Sequence, residues 1–206
     1  IDNAVSQKPK GIVITLPDAA ALGKSVKAAI AAGIPVVSMN SGSDDYASLG
    51  ISAHVGQTEF EAGVGGGQKM KAAGGKKALC VNHEVGNVAL DRRCAGFKKG
   101  FGGSVDILGT SNDPTEIQKA VAAKLGGGYD TILTLGAGLS GEAALKALEA
   151  AGKVGNVKLG TFDMSPNMLK AAAAGKVEFL IDQQQYLQGY LPIAIFAQYM
   201  RWGTMP

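Results

Sequence analysis

Two histidines, His54 and His83, and two cysteines, Cys80 and Cys94, are all that these 206 residues offer to soft metals or to imidazole and thiol chemistry. No CxxC, HxxxH or HExxH spacing occurs, which points away from a zinc centre. His54 falls inside a strand pattern, where a hydrogen-bonded core position is expected. His83 stands at a strand end beside Glu84, where a ligand contact and a structural hydrogen bond are equally open. Cys80 on a strand and Cys94 on the following helix are about 14 residues apart, a span that a strand-turn-helix can close. A disulfide and a pair of buried thiols both remain open there; a bond would contribute about 3 kcal/mol and require an oxidising compartment.

The nearest match to a catalytic or cofactor motif is Gly136-Ala137-Gly138-Leu139-Ser140-Gly141, a GxGxxG between a strand and a helix, with Asp163 closing the next strand about 22 residues on. In a dinucleotide site those glycines admit a pyrophosphate to a helix N-terminus and the acid takes the ribose hydroxyls. With 30 glycines in the chain the pattern also arises by chance, and a tight strand-to-helix turn explains it. Gly138-Leu139-Ser140-Gly141 is one residue short of a GxSxG elbow, and Asp44-Asp45 fits a solvated turn better than an acid/base pair. No catalytic set emerges, so the chain is expected not to be an enzyme and to need no cofactor. Arg92-Arg93 and Lys98-Lys99 fall on one helix, residues 87–101, whose buried face carries Phe97 and Phe101; this is a solvated basic face, not a phosphate track.

The elements that must position these groups alternate regularly. Short β-branched runs at 11–16, 35–39, 52–55, 77–81, 105–110, 131–135, 157–162 and 179–181 are each followed by a helical pattern, the signature of parallel sheets with helices on both faces. Asp18 caps a helix running to Ala32, Asp113-Pro114 starts another, and Ser165-Pro166 a third that ends at Gly175. Open α/β sheets hold ligands just beyond the carboxyl ends of their strands. The residues there are Asn40-Ser41-Gly42-Ser43, Gly56-Gln57-Thr58, Asn82-His83-Glu84, Ser111-Asn112-Asp113, Gly136-Ala137-Gly138, Asp163 and Asp182-Gln183, nearly all uncharged or acidic. Such an edge is suited to hydrogen bonding. A net charge of +3, 46% hydrophobic and 18% charged residues exclude both disorder and a nucleic-acid surface, and no apolar run is long enough to span a membrane. The chain opens at Ile1 without an initiator Met or signal-like segment and closes at Thr204-Met205-Pro206 just past a helix, so both ends are expected to be internal to a longer protein.

Several segments in series carry a resemblance: Gly33-Ile34-Pro35-Val36-Val37, Ala53-His54-Val55-Gly56-Gln57, Arg93-Cys94-Ala95-Gly96-Phe97, Ala144-Leu145-Lys146-Ala147-Leu148, Gly160-Thr161-Phe162-Asp163-Met164-Ser165-Pro166 and Ile181-Asp182-Gln183-Gln184. In this order they resemble the periplasmic sugar-binding proteins of bacterial ABC transporters, ribose and galactose type. The resemblance implies an α/β fold of two doubly wound parallel-sheet lobes that close about a hinge over one monosaccharide. The first lobe would hold residues 1–57 and 184–206 and the second 58–183. It implies sugar contacts at Asn40, Ser41, Gln57, Glu84, Arg93, Asp163 and Gln183, with His83, Asn112, Asp113 and Gly138 as further candidates. Planar amide, carboxylate and guanidinium groups can grip adjacent hydroxyls in pairs. A monomer in the periplasm, a membrane permease as partner and no nucleic acid follow from the same likeness. Asn40-Ser41 replaces the family's usual Asp-Arg, Gly-Ala-Gly replaces an Asn after the 131–135 strand, and an aromatic near Asp113 is missing. Ribose is therefore disfavoured, with another pentose, a hexose or a polyol open. The family's opening strand-helix-strand and last hinge segment have no counterpart, so the first lobe is expected to be incomplete. A nicotinamide-dependent oxidoreductase built on Gly136–Gly141 and a sugar-responsive repressor core are the alternatives.

Overall fold

The computed structural model describes residues 1–205, and Pro206 lies outside the described residues. The chain divides into two compact units, Ile1–Thr58 with the stretch from Gln184 onward, and Glu59–Gln183, so the second is inserted whole into the first.

Unit 1 opens with a short helix α1 (Asp2–Ser6) and strand β1 (Ile12–Ile14). Asp18 then caps α2 (Ala19–Ala31), its side chain accepting from the Ala21 N–H at 2.9 Å. β2 (Val36–Asn40) and β3 (Ala53–Gly56) complete a parallel sheet in the order β1-β2-β3, with Ser38 opposite His54. β1 is shorter than the 11–16 run suggests: its pairing with β2 stops at Ile14, and the Leu16 N–H turns to the Ser41 carbonyl instead. Ile12, Val26, Ala29, Ile34, Val36 and Ile51 form the core of this unit.

Unit 2 runs α3 (Glu59–Ala72), β4 (Lys77–Asn82), α4 (Val88–Phe101), β5 (Ser104–Gly109), α5 (Pro114–Lys124), β6 (Thr131–Thr134), α6 (Glu142–Ala150), β7 (Lys158–Phe162), α7 (Pro166–Ala173) and β8 (Phe179–Ile181). All five strands are parallel in the order β5-β4-β6-β7-β8. The period-two alternation of a strand explains why both faces are apolar. Leu79 and Val81 point into a core with Ile117, Val121, Leu148 and Met168 from α5, α6 and α7, while Ala78 and Cys80 face Met70, Leu90, Phe97 and Phe101 from α3 and α4. Each fully buried Leu or Phe contributes on the order of 1.5–3 kcal/mol. Asp130 ties strand starts together by accepting from the Lys76 and Lys77 N–H groups and the Thr131 hydroxyl. Burial pushes its carboxyl up, but these hydrogen bonds prevail and hold it below the usual carboxylate range.

Glycine plays a part beyond the turns that the composition suggests. Gly63 and Gly67 on α3 meet Gly96 and Gly100 on α4 so closely that a Cβ on Gly96 would lie 2.0 Å from the Phe60 carbonyl oxygen, and one on Gly100 2.0 Å from that of Val64. The two helices are in backbone contact, which no larger residue permits. Cys80 and Cys94 are joined by a disulfide, Cα–Cα 5.9 Å, which staples α4 to β4 from the other side.

The chain then returns to unit 1 as α8 (Gln185–Trp202), which packs against β2 and β3 through Gln188, Pro192 and Phe196 and leaves Tyr186, Tyr190, Ile193 and Trp202 exposed. No helix among the described residues is long and apolar enough to cross a membrane.

Candidate functional site

In unit 2 the strand order reverses between β4 and β6, which opens a crevice at their carboxyl ends. Asn82, buried at the end of β4, shapes the loop there: its Nδ2 donates to Asp91 at 2.8 Å and its Oδ1 accepts from the Glu84 N–H at 3.1 Å. Glu84 is exposed, with its carboxylate held by the Nδ2 of Asn87, the residue that caps α4. His83 is half-buried and its Nδ1 pairs with the Ser140 hydroxyl at 3.3 Å. Burial keeps the imidazole below its usual range, with the Arg93 charge acting in the same direction and Glu84 and Asp163 opposing.

His83 and Asp163 meet over Gly136, where an added Cβ would stand 3.1 Å from the histidine Cε1 and 3.5 Å from Asp163 Oδ2. A side chain at Gly136 would have to push His83 aside by a few tenths of an ångström. Gly138, the second glycine of the motif, has open space around it, and Ala137–Gly141 forms a single π turn that runs straight into α6. The motif is accounted for as a strand-to-helix turn beside His83.

Asp163 itself has φ +66, a left-handed conformation uncommon outside glycine and tolerated best by Asp and Asn. Its N–H is held by the Ile181 carbonyl at 2.9 Å, and its Oδ1 accepts a short hydrogen bond from Gln183 Nε2. The other end of that amide, Oε1, accepts from Arg93 Nη2 at 2.7 Å. Arg93 is 3% exposed, unlike Arg92, Lys98 and Lys99 on the same helix, which face solvent as the sequence suggests. Its guanidinium makes a two-pronged pair with Glu59 (Nε–Oε2 2.5 Å, Nη2–Oε1 3.0 Å), donates to the Leu135 carbonyl at 3.1 Å, and lies 4.6 Å from the centre of the Phe162 ring.

Asn112 is exposed, and Asp113 spends its carboxylate capping α5, where the Thr115 and Glu116 N–H groups hold it below the usual range. In unit 1 Asn40 also adopts a left-handed φ, +60, at the end of β2. Its Nδ2 donates to Gln188 Oε1 at 3.1 Å and its Oδ1 accepts from the Ser41 hydroxyl at 3.2 Å, a neutral set in which Ser41 and Gln188 are buried. Gln57 is half-buried just past β3. His54 bonds Ser38 through Nδ1 at 2.9 Å and stacks on Tyr46; it is half-buried and its pKa is lowered by burial. Among the described residues no cluster of three or more His, Cys, Asp or Glu could hold a metal.

Glu59 and Gln188 take part in these networks without having been picked out from the sequence, and Ser140, noted there as part of a near-miss to a nucleophile elbow, serves instead as a partner of His83. The periplasmic binding protein domain matches residues 1–204. The chain belongs to that family. It is 24% identical to the xylose/arabinose-binding protein XylF of Sulfolobus acidocaldarius, over all of this chain and 55% of that protein, so it spans about half the length of the curated relative. Its fold superposes with a TM-score of 0.94 on a carbohydrate transporter from Acidothermus cellulolyticus in complex with myo-inositol, at 35% identity over 98% of this chain and 71% of the other. A periplasmic sugar-binding protein of an ABC transporter from Legionella pneumophila superposes at 0.86 with 25% identity, over 99% and 78%. The parallel-sheet α/β architecture expected of a periplasmic binding protein is the one observed, doubly wound in unit 2 and reduced to three strands in chain order in unit 1.

Proposed function

We propose that the protein is the solute-binding component of a sugar ABC transporter, working in the periplasm without catalysis and delivering a monosaccharide or polyol to a membrane permease. The observation that carries this reading is the Asp163–Gln183–Arg93 set at the carboxyl edge of unit 2, on a backbone that follows the myo-inositol-bound relative. Asp163, Gln183, Glu84 and His83, with Gly138 beside them, supply donors and acceptors in unit 2; Asn40, Ser41 and Gln57 supply them in unit 1. A polyhydroxy ligand, which donates and accepts at every oxygen, satisfies groups of this kind pairwise. Arg93 backs this set, with four of its five donors going to Glu59, Leu135 and Gln183, and Asn112 and Asp113 stand at its rim. The neutral Asn40-Ser41 pair favours an uncharged ligand such as a cyclitol, pentose or hexose.

The test is a thermal-shift and calorimetric screen of the protein expressed from its complete coding sequence against myo-inositol, D-xylose, L-arabinose, D-ribose and D-galactose. A ligand present at a hundred times its Kd adds about 2.7 kcal/mol of stability. Stabilisation by at least one of these compounds is expected; a flat response to all of them, or stabilisation by NAD alone, overturns the assignment.

A further inference from the structure

Glu59 and Gln183 stand at the two places where the chain passes between its units: Glu59 is the first residue of unit 2 and Gln183 its last. They are 4% and 6% exposed, and the same guanidinium holds both. We infer that the Glu59–Arg93 pair is a positioning strut, which fixes the Gln183 amide at the second chain crossing and, through it, sets Asp163 for its ligand. This rests on the binding function proposed above and assigns a role to Glu59, which need not touch the ligand.

The argument follows the direction of each hydrogen bond. Arg93 only donates, so the Gln183 oxygen must face it, and the amide nitrogen is then left to face Asp163. A glutamine free to flip would present its oxygen to the carboxylate, two acceptors in repulsion. Glu59 keeps Arg93 from flipping it: the two-pronged contact fixes the plane of the guanidinium, with the Leu135 carbonyl and the Phe162 ring holding its remaining sides. Asp163 is over-determined as a result. Its backbone is pinned to Ile181 and its side chain to Gln183, which sustains a left-handed conformation that an aspartate adopts at a cost. Because Glu59 and Gln183 are the first and last residues of unit 2, the guanidinium that orders Asp163 through Gln183 also ties the two ends of that unit together.

The experiment titrates wild type, Glu59→Gln, Gln183→Glu and the double variant with myo-inositol, D-xylose and D-ribose by calorimetry, alongside melting temperatures without ligand. Gln183→Glu retains a partner for Arg93 but replaces the donor to Asp163 with a second carboxylate, so it weakens binding about ten- to hundredfold, the range for losing a hydrogen bond to a charged group. Glu59→Gln weakens it about tenfold from a buried position. The double variant binds no more weakly than Gln183→Glu alone, because both changes act through one amide. Additive losses would mean that Glu59 supports the fold only, and overturn the strut. Binding by Gln183→Glu equal to wild type overturns it as well, and decides the matter should Glu59→Gln fail to fold. If wild type binds none of the three sugars, the strut falls together with the function on which it rests, an outcome distinct from wild-type binding that the variants leave unchanged.

Discussion

Replacing Gly96 with alanine tests whether the α3–α4 crossing is what holds the Glu59–Arg93 pair in place. The added Cβ would lie 2.0 Å from the Phe60 carbonyl oxygen and 2.9 Å from its carbon, both backbone atoms that cannot rotate away. To restore a 3.4 Å contact the helices must part by roughly 1.4 Å, and Gly100 against Val64 leaves no slack one turn along. Overpacking of this kind costs about 1–3 kcal/mol net of repacking, against which alanine returns up to about 1 kcal/mol of helix propensity. Phe60 adjoins Glu59, and Gly96 is three residues from Arg93, so the same displacement carries the 3.0 Å Nη2–Oε1 contact past hydrogen-bonding range. Urea unfolding followed by circular dichroism should show Gly96→Ala less stable by up to about 2 kcal/mol once that return is subtracted, with weaker sugar binding in calorimetry. Gly65→Ala on α3, exposed and with nothing within 4 Å of its Cβ, is the matched control and should be stabilised by up to about 1 kcal/mol. Equal stability changes in the two variants would refute the idea that the crossing is at its steric limit.

Two further outcomes follow from other features. Removing the staple in Cys80→Ala/Cys94→Ala should cost about 3 kcal/mol in urea unfolding, the loop-entropy value for a separation of 14 residues, and the buried bond of the folded wild type should resist dithiothreitol until urea is added. Both histidines are held below their usual pKa, chiefly by burial, so below about pH 6.5 the unfolded chain takes up protons that the native state does not. Their contribution is complete above that pH and is lost as pH falls towards their native values; a His54→Gln/His83→Gln variant should lose less stability between pH 7 and pH 5 than wild type, and an identical pH profile would count against buried neutral imidazoles.

What can be read from the sequence is what neighbours along the chain decide. Asp18, Asp113 and Ser165 accept from N–H groups two or three residues ahead, so their capping is written locally, and the alternation of Ala78 and Cys80 with Leu79 and Val81 already says that β4 is covered on both faces. The strand pattern puts Asp163 and Gln183 at strand ends, and the structure finds them bonded to one another. Glu59 is opaque in sequence: with Glu61 it fills the first turn of a helix, where acids ordinarily complement the dipole at the surface, and its burial is decided by an arginine 34 positions away. Gln188 is hidden for the same reason, its partner Asn40 being 148 positions distant. α3 reads poorly as a helix because Gly63, Gly65, Gly66 and Gly67 oppose it on propensity; backbone contact with α4 outweighs that preference.

The insertion of one unit inside the other also orders the events of synthesis. Residues 59–183 are contiguous, with every strand of their sheet and both of its helical covers between them, so this unit can fold as soon as it has emerged from the ribosome. Residues 1–58 are made earlier, yet β2 and β3 wait without α8, whose Gln188, Pro192 and Phe196 arrive more than a hundred residues later. Unit 1 is therefore begun before unit 2 is made and completed only after it.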